Sequence, residues 1–570
     1  MSSHWSYQYD TLPPGNYIRT LILKPGIDSE TLQCDLQISP MNAVPFVAIS
    51  YVWGQNMKNH EITCDGRTIA ITTYLWILLR HIRSNVSRIL WADSICINQE
   101  NDEEKARQVA MMGQVFRAAE HVLIYIGADD LGHGRHVASL LSDMRIVIQE
   151  GLKQASSVQD AFPFPGDDTP ILKDYRWKSY NHLLSQDWFT RGWAAVAQTA
   201  RLIWGRYELS WEDLMRTDIW LMRRAPILRD VVRSRIEEDV KHSLLDVLGA
   251  AKDLNFYDKR DRIFAFAEVA QDYERHVPVH PDYKAHTLQV YHRFSIDFIR
   301  STRDTEILDG VYHTERSLSH NCPSWVPRWD NEGTTLAPSR SSDWMPLKPL
   351  KLDVQPTLVS DNILRVPGVF TDTIVYISEI FDDSATSLET IRGLWNSVNF
   401  LTVEWAYPTA HRIDAFLDKL VRGMFDGKWE TWKESRANLA HDLQDNGLIP
   451  AETARIRVDV NEMATSQYVT FAKLMTQSTR FVVTKRGYMG LAPQLTRIGD
   501  ATAIIFSCVT SCVLREAVDV QQYQCIGPAW IAGAQPRNSD GGGVHFRQLG
   551  DERSRDWIYW DVKEQDIDLC

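Results

Sequence analysis

The sequence predicts an α/β fold for its amino-terminal part, built on a parallel sheet, and three observations carry this prediction. An apolar run over 89–91 gives way to polar side chains, as a buried strand does when it reaches the rim of a sheet. Apolar residues then recur at helical spacing between 102 and 119, and a second apolar run follows at 122–126. Strand, helix and strand form one βαβ unit, from which parallel sheets are assembled.

A further strand is predicted over 46–51, where a compact run of β-forming residues ends in polar, aromatic and glycine residues. The carboxyl ends of parallel strands meet at one edge of a sheet, so we expect the residues that follow both strands to share a site. The simpler alternative is a strand followed by a turn. The candidate binding residues are Ser50, Tyr51, Trp53, Gly54, Asp93, Asn98 and Gln99 at this edge, together with Arg191 further along the chain.

Around these strands the pattern predicts a β-rich lead-in over 1–45, a hairpin at 62–71 and a helix over 73–82. Residues 128–186 break the α/β rhythm and are interpreted as an insertion. Asp102 is predicted to cap the helix at 102–119. A later helix is predicted to begin at Asp187 or Thr190 and to end at about Leu202. Four residues of this later helix would share one face, and ordinary packing of that face against the core is the simpler explanation. The four residues are Trp193, Ala197, Ala200 and Trp204.

The length of 570 residues predicts several domains. We expect the α/β domain over 1–210 and a mostly helical middle region over 211–346, which includes an extended strap. A carboxyl-terminal α+β region is expected over 347–570. In this last region a β-hairpin is predicted at 364–380, a helical stretch at 388–475, and strands at 480–484, 501–514 and 523–531. The pattern is typical of a small antiparallel barrel or sandwich.

Composition excludes several classes of function. A net charge of -13 argues against a nucleic-acid surface, and no segment has the roughly 18 to 20 apolar residues of a membrane span. The first residues lack the pattern of a secretory signal. Eight scattered cysteines indicate reduced, buried thiols and a cytoplasmic protein, and no residues stand at the spacing of metal ligands. We therefore expect no metal and no cofactor.

Three segments resemble the signatures of the fungal heterokaryon incompatibility (HET) domain. They are Ala48-Ile-Ser-Tyr-Val-Trp-Gly54, Leu90-Trp-Ala-Asp-Ser-Ile-Cys-Ile-Asn-Gln99 and Trp188-Phe-Thr-Arg-Gly-Trp193. Together they are specific. Segments further along also resemble the downstream region of long fungal HET proteins, without any chemistry that we can assign. They lie at 258–264, 281–283, 323–327 and 487–491.

HET domains are considered distant relatives of the TIR domain, a flavodoxin-like α/β fold that in many members cleaves NAD⁺. This resemblance implies that Trp193 corresponds to the tryptophan four residues before the catalytic glutamate, within the pattern Arg-x-Trp-x-x-Gln-Glu that begins at Arg191. The chain departs from the pattern, because Val196 stands for the glutamine and Ala197 for the glutamate. Either it is a naturally degenerate member or a glutamate has been replaced.

The resemblance implies a cell-death effector of fungal nonself recognition that hydrolyses NAD⁺ as substrate when position 197 carries a glutamate. With Ala197 the chain is expected to be inactive. The implied partners are NAD⁺, further copies of the chain joined through the HET domain, and an incompatibility partner protein. The alternative is a non-enzymatic module that signals by self-assembly alone. A metabolic α/β enzyme is disfavoured, because no phosphate loop, metal cluster or Ser/His/Asp arrangement is present in the sequence.

Overall fold

The chain forms two compact units in the computed structural model. The first comprises residues 1–237, 253–271 and 279–284, and the second comprises 238–252, 272–278 and 285–570. The division into three regions at 210 and 346 stays a prediction. The structure describes residues 7–27, 30–52, 58–154, 170–190, 200–224, 244–250, 256, 258–264, 266, 277, 279–318, 322–331, 350, 355–381, 387–423, 430–446, 462–517, 521–536, 544–549, 551, 554 and 560–570.

A nine-stranded mixed sheet organises the first unit. Its strand order is β5-β4-β2-β1-β6-β3-β7-β8-β9, and the four neighbours β6, β3, β7 and β8 run parallel. The strands are β1 (Tyr17–Leu23), β2 (Gln33–Pro40), β3 (Val47–Tyr51), β4 (His60–Cys64), β5 (Arg67–Ile71), β6 (Arg88–Ala92), β7 (His121–Gly127), β8 (Ala200–Trp204) and β9 (Tyr207–Ser210).

The predicted parallel strands are confirmed. Strand β3 pairs with β6 on one side, where Ile49 faces Ala92, and with β7 on the other, where Ser50 faces Ile124. Strands covered on both faces are apolar throughout, and β7 is accordingly buried from Val122 to its end. The sheet therefore brings the carboxyl ends of β3, β6 and β7 to one edge.

The lead-in joins this same sheet. Strand β1 runs antiparallel to β6, with Leu21 opposite Leu90, and β2 completes a second antiparallel pair with β1. The predicted hairpin is also present as β4 and β5. Its turn residues Asp65 and Gly66 have φ of 49° and 76°, the left-handed conformation that a tight hairpin turn requires. The segment before residue 46 is thus part of the core.

Seven α-helices accompany the sheet among the described residues of the first unit. Helix α1 coincides with the predicted 73–82, whereas the cap of α3 is Asn101 and not Asp102. The Asn101 side chain accepts hydrogen bonds from the N–H groups of Glu103 and Glu104, which Asp102 cannot do from inside the helix. The helices are α1 (Thr73–Ile82), α2 (Asp93–Cys96), α3 (Asp102–Ala118), α4 (His133–Gln154), α5 (Arg176–Leu184), α6 (Trp211–Arg224) and α8 (Asp261–Phe264), with 3-10 helices at Pro170–Lys173 and Asp187–Thr190.

The predicted helix from 187 or 190 to Leu202 is wrong over 200–202, and its part over 191–199 stays a prediction. A single 3-10 turn ends at Thr190, residues 191–199 lie outside the described part of the chain, and Ala200 to Trp204 form strand β8. Two neighbours outweigh helix propensity here, because β8 satisfies its backbone groups between β7 and β9. Gly205, with φ of 56°, makes the hairpin turn to β9. Ala200 and Trp204 therefore share no helical face.

The second unit holds a mostly antiparallel sheet. Strand β11 pairs with β12 along one half and with β14 along the other, and the path β11-β12-β13-β16-β15-β14 returns to β11. The antiparallel sheet is confirmed, whereas the barrel or sandwich stays a prediction. The strands are β10 (Thr357–Ser360), β11 (Ile363–Ile380), β12 (Thr479–Thr484), β13 (Met489–Pro493), β14 (Ala501–Ile505), β15 (Ser511–Glu516), β16 (Tyr523–Pro536), β17 (Val544–Gln548) and β18 (Gln565–Leu569).

Two strand predictions in this unit are wrong. No hairpin forms at 364–380, because Pro367 and Gly368 lie inside the single long strand β11. A side chain at Gly368 would approach the Ile504 carbonyl oxygen to 2.6 Å, so glycine permits the close passage of β14 rather than a turn. The predicted strand 501–514 divides into β14 and β15, and Ser507 with φ of 71° stands in the turn between them.

Helices cover much of the rest of the second unit, which confirms the helical stretch predicted after residue 388. The predicted strap at 322–330 lies inside the second unit and forms turns rather than an extended segment, since the Val326 N–H donates to the Pro323 carbonyl. Trp325 and Val326 are fully buried there. The helices are α7 (Leu244–Ala250), α9 (Thr287–Thr302), α10 (Glu315–Leu318), α11 (Leu388–Asn399), α12 (Arg412–Leu420), α13 (Glu430–Asn446) and α14 (Glu462–Thr476), with 3-10 helices at Glu306–Gly310 and Thr409–His411.

Candidate functional site

The candidate site lies at the carboxyl edge of β3, where two hydrogen bonds join the three signature segments. The indole nitrogen of Trp188 donates to the Ser50 hydroxyl at 3.0 Å. The Tyr51 hydroxyl and the Ser94 hydroxyl lie 2.5 Å apart and share a second hydrogen bond. The end of β3 is thus close to Asp93, as predicted. Ser50 and Tyr51 leave the strand on opposite faces, because side chains alternate along a strand.

Trp188 lies on the side of the site that contains Ser50. Its side chain is 1% exposed and packs edge-on against Phe189 and Trp211, at ring-centroid distances of 5.2 and 5.8 Å. From the sequence, Trp188 is recognisable only as part of a signature, without a role in the site. A buried tryptophan normally needs a partner for its N–H group, and Ser50 supplies one here.

The loop after β6 is held by its own polar groups. The Asp93 side chain accepts a hydrogen bond from the Ser94 N–H at 2.8 Å, and the Gln99 side chain donates to the Asp93 carbonyl at 3.0 Å. Asn98 accepts from the Glu100 N–H at 3.2 Å. These bonds give Asn98 and Gln99 a role in shaping the loop, and their role in binding stays a prediction.

A buried ion pair between Arg19 and Glu104 holds the loop that follows β6. Arg19 of β1 contacts both carboxylate oxygens of Glu104, at 2.5 and 2.9 Å, and the two side chains are 1% and 5% exposed. Arg19 also donates to the Cys96 carbonyl, and Glu104 accepts from the Asn98 N–H. Burial alone would raise the pKa of Glu104, but the hydrogen bonds from Arg19 and Asn98 lower it below its usual value.

Sequence reasoning missed the Arg19–Glu104 pair. The available signal was an arginine in the mostly apolar strand Tyr17–Leu23, which implies a buried counter-charge without identifying it.

An aromatic wall stands at the end of β7, beside Tyr51. Tyr125 faces Tyr51 across the β3–β7 ladder, and its ring meets that of Tyr74 at 6.4 Å. Burial raises the pKa of Tyr125 to about 12, so the phenol stays protonated. Gly127 has φ of 130°, and a side chain there would touch the Tyr74 ring at 3.4 Å. Tyr74 and Tyr125 are further residues that the sequence did not single out.

A histidine cluster packs next to β8. The Nδ1 atoms of His133 and His136 lie 2.9 and 3.3 Å from the Ser179 hydroxyl, and the His133 ring lies 4.5 Å from that of His182. Burial, followed by the charge of His182, lowers the pKa of His133. Within the described ranges no group of histidine, cysteine or acidic residues is arranged to hold a metal ion. The His133 ring also stacks with the Trp204 ring of β8 at a centroid distance of 6.2 Å, so the cluster packs against the sheet.

Five predicted site residues lie outside the described part of the chain, so the structure places neither the expected catalytic position nor its tryptophan. They are Trp53, Gly54, Arg191, Trp193 and Ala197. Among the helices that are described, none has the length and apolar character needed to cross a membrane.

Comparison with known proteins agrees with the signatures that meet at this edge. The family model for heterokaryon incompatibility protein (HET) matches residues 46–196. The chain is 24% identical over 479 residues to "Heterokaryon incompatibility protein 6, OR allele" of Neurospora crassa, a match that covers 69% of this chain and 70% of that protein. No solved structure gives a significant match. The β3 edge, where the three signatures meet, lies within the part of the chain that matches the HET family model, and the chain is similar to a fungal heterokaryon incompatibility protein.

Proposed function

We propose that the chain is an effector of fungal heterokaryon incompatibility, and that its HET domain hydrolyses NAD⁺ when position 197 carries a glutamate. One observation carries the proposal: the hydrogen bond from Trp188 to Ser50 holds the start of the third signature against the end of the first. Position 197 follows Trp188 by nine residues in the sequence. The incompatibility role is supported by the name of the Neurospora crassa relative.

The order of the parallel strands supports the likeness to TIR domains. The parallel strands stand in the sheet in the order β6-β3-β7-β8. If they are numbered 1 to 4 along the chain, starting with β3, this order is 2-1-3-4. It is the beginning of the flavodoxin-like order 2-1-3-4-5. In such sheets ligands bind at the carboxyl edge, between the first and third strands. Those strands are β3 and β7 here, and they end in Ser50, Tyr51 and Gly127.

The chemistry requires a carboxylate. The bond between nicotinamide and C1′ of the ribose breaks, and its electron pair leaves with neutral nicotinamide. The sugar gains oxocarbenium character, and water then adds to C1′ and releases a proton. A glutamate at 197 would stabilise the developing positive charge and orient the water or the ribose hydroxyls, whereas Ala197 can do neither. The chain with Ala197 is therefore expected to release almost no nicotinamide.

The decisive experiment compares Ala197→Glu with Ala197→Gln in the full chain. Glutamine has nearly the same size as glutamate but lacks its charge, so the pair isolates the carboxylate. We expect the glutamate variant to release nicotinamide from NAD⁺ at least about 10²–10³ times faster than the glutamine variant. A glutamate variant that folds, assembles and leaves NAD⁺ intact would exclude the enzymatic function at this position.

A non-enzymatic module remains the second candidate, and Ala197 itself favours it. A chain without the carboxylate that nevertheless signals must do so by assembly. Expression of the chain with Ala197 in a fungal host would separate the candidates. Cell death with unchanged NAD⁺ would support assembly alone, whereas death only with Ala197→Glu and falling NAD⁺ would support the hydrolase.

A further inference from the structure

A groove of about 990 Å³ opens on the second unit, near the upper end of the usual size of ligand pockets, roughly 300–1,000 Å³. Neither the HET signatures nor the proposed chemistry involves it. Aromatic side chains and charged side chains line it together, and the ones that matter here are Glu404, Trp405, Lys485, Tyr488, Glu516 and Trp560. The lining therefore offers both flat apolar surface and charge.

The groove has a firm frame. The turn at 485–487 lies against the backbone at 404–406, where the Ala406 N–H donates to the Gly487 carbonyl. A side chain at Gly487 would approach the Glu404 carbonyl oxygen to 2.1 Å. The Lys485 N–H donates to the Thr373 carbonyl, and the Arg486 N–H donates to the Asp372 carboxylate at 2.7 Å. Each wall is thus fixed by backbone contacts.

The indole rings of this groove already hold cations of the same chain. The Arg486 guanidinium lies 4.9 Å from the Trp560 ring centroid, and the Arg412 guanidinium lies 5.0 Å from that of Trp405. Tyr488 meets Trp560 at 5.3 Å and extends the aromatic surface. Aromatic faces attract cations through the ring quadrupole, most strongly in tryptophan. These contacts show which kind of group the aromatic surface accepts.

The charges point to the same kind of ligand. Three carboxylates line the groove against two cations, and Asp372 is already engaged by the N–H groups of Thr373 and Arg486. Glu404 and Glu516 are exposed, and neither forms an ion pair with any described residue. Together with the chain's net charge of -13, they would attract a cationic partner and repel a phosphate.

We propose that this groove binds an extended basic segment of a partner protein, whose lysine or arginine side chains lie along the aromatic surface and pair with Glu404 and Glu516. Long cationic side chains suit such a site, because their apolar stems cover aromatic rings while their charged ends reach the carboxylates. The proposal concerns the second unit and does not rest on the proposed NAD⁺ chemistry.

Binding can be tested with the full chain and two labelled peptides of equal length, one alternating arginine and alanine, the other glutamate and alanine. Fluorescence anisotropy should show binding of the basic peptide only. Glu404→Gln and Glu516→Gln should each weaken it roughly two- to fivefold, the range of a single exposed ion pair. Lys485→Ala should strengthen it by a similar factor, because it removes a repelling charge.

Glu389→Gln is the matched control, since Glu389 is an exposed carboxylate in the first turn of α11 and does not line the groove. It should leave the affinity unchanged. Equal weakening by the control and the groove variants would indicate attraction to the net charge alone and overturn the proposal. Absence of binding by the basic peptide would also overturn it. So would binding of inorganic phosphate or ATP that Lys485→Ala abolishes, since that result would make the groove an anion site.

Discussion

The indole nitrogen of Trp188 and the hydroxyl of Ser50 are joined by a 3.0 Å hydrogen bond across 138 residues of sequence. The bond connects the third signature to the end of the first parallel strand, although no backbone pairing links the 3-10 helix at Asp187–Thr190 to β3. It fixes the geometry from which the segment after Thr190 departs.

A double-mutant cycle measures that anchor. Ser50→Ala and Trp188→Phe should couple by about 0.5–1.5 kcal/mol in the free energy of unfolding, because each removes the same hydrogen bond. Trp211→Phe is the control, since the indole N–H of the neighbouring Trp211 is buried without a hydrogen-bond partner among the described residues. Chemical denaturation of the unsubstituted chain, the three single variants and the two double variants that contain Ser50→Ala provides the values. Equal coupling of Ser50 to both tryptophans would contradict the assigned bond.

Glu104→Gln should destabilise the first unit by about 3–5 kcal/mol, the usual result of breaking a buried ion pair on one side. The pKa of Glu104 is lowered below its usual value in the folded chain, because the hydrogen bonds from Arg19 and Asn98 outweigh burial. The stabilisation is therefore fully present above the unfolded pKa and is lost as pH falls through the lower folded value. The variant should lose stability at neutral pH and respond less to acid.

Glu103→Gln provides the comparison for this experiment, because Glu103 is the exposed neighbour of Glu104 on α3. It should change the unfolding free energy by about 0.5 kcal/mol or less. If both substitutions cost the same, the Arg19 pair does not hold the loop.

Asp261→Asn should stabilise the first unit at neutral pH. Burial, with the nearby charge of Asp258, raises the pKa of Asp261 from 3.8 to about 6, although the Tyr283 hydroxyl donates a hydrogen bond to it. Stability is then highest below the unfolded pKa and falls as pH rises to about 6. Removing the charge should recover up to about 3 kcal/mol above that pH. Unfolding free energies across this range would show the difference.

Tyr283→Phe tests the same carboxyl group from the other side. The variant removes the hydrogen bond that lowers the pKa of Asp261, so the fall in stability should extend to higher pH. A pH profile unchanged in both variants would show that Asp261 does not titrate in this range.

Gly487→Ala should destabilise the second unit more than Gly499→Ala. Both glycines have positive φ, 74° and 95°, so alanine costs about 1–2 kcal/mol in either place. Only Gly487 also faces a backbone atom, the Glu404 carbonyl oxygen, whereas Gly499 faces open space. Thermal unfolding should therefore separate the two variants by several degrees. Equal destabilisation would mean that the turn can move away from residues 404–406.

Self-association through the HET domain should accompany activity. TIR-like enzymes commonly complete their sites between neighbouring copies, so the specific activity of Ala197→Glu should rise with protein concentration. Sedimentation and nicotinamide release measured over one concentration series would test this. Full specific activity in a monomer would contradict the prediction.

The parallel core was predictable because its signals are local. Apolar runs such as 122–126 can only be buried strands or helices, and their length and β-forming residues favour strands. The hairpin at Asp65 and Gly66 was equally clear, since the turn chemistry is carried by two adjacent residues. The edge shared by Ser50, Tyr51 and Asp93 then follows from the geometry of parallel sheets.

The predictions that were wrong or missing concern residues whose partners are far away in the sequence. Strand β8 was assigned to a helix because the sequence does not show that β7 and β9 flank it. Arg19 and Glu104 stand 85 residues apart, and neither residue alone identifies the other. Pro367 and Gly368 look like a turn until the approach of β14 is known. Residue type indicates a need for a partner, whereas tertiary structure decides which partner meets it.

The lead-in strand limits how freely a HET domain can be moved between proteins. The family match begins at residue 46, yet β1 before it covers one side of β6 and supplies the only ion-pair partner of Glu104 among the described residues. A gene fusion cut at the match boundary would leave β6 open to pairing with other chains, and would bury a carboxylate without its counter-charge. The unit that folds together with the signatures therefore includes β1, and we expect a fusion point placed between β1 and residue 46 to destabilise it.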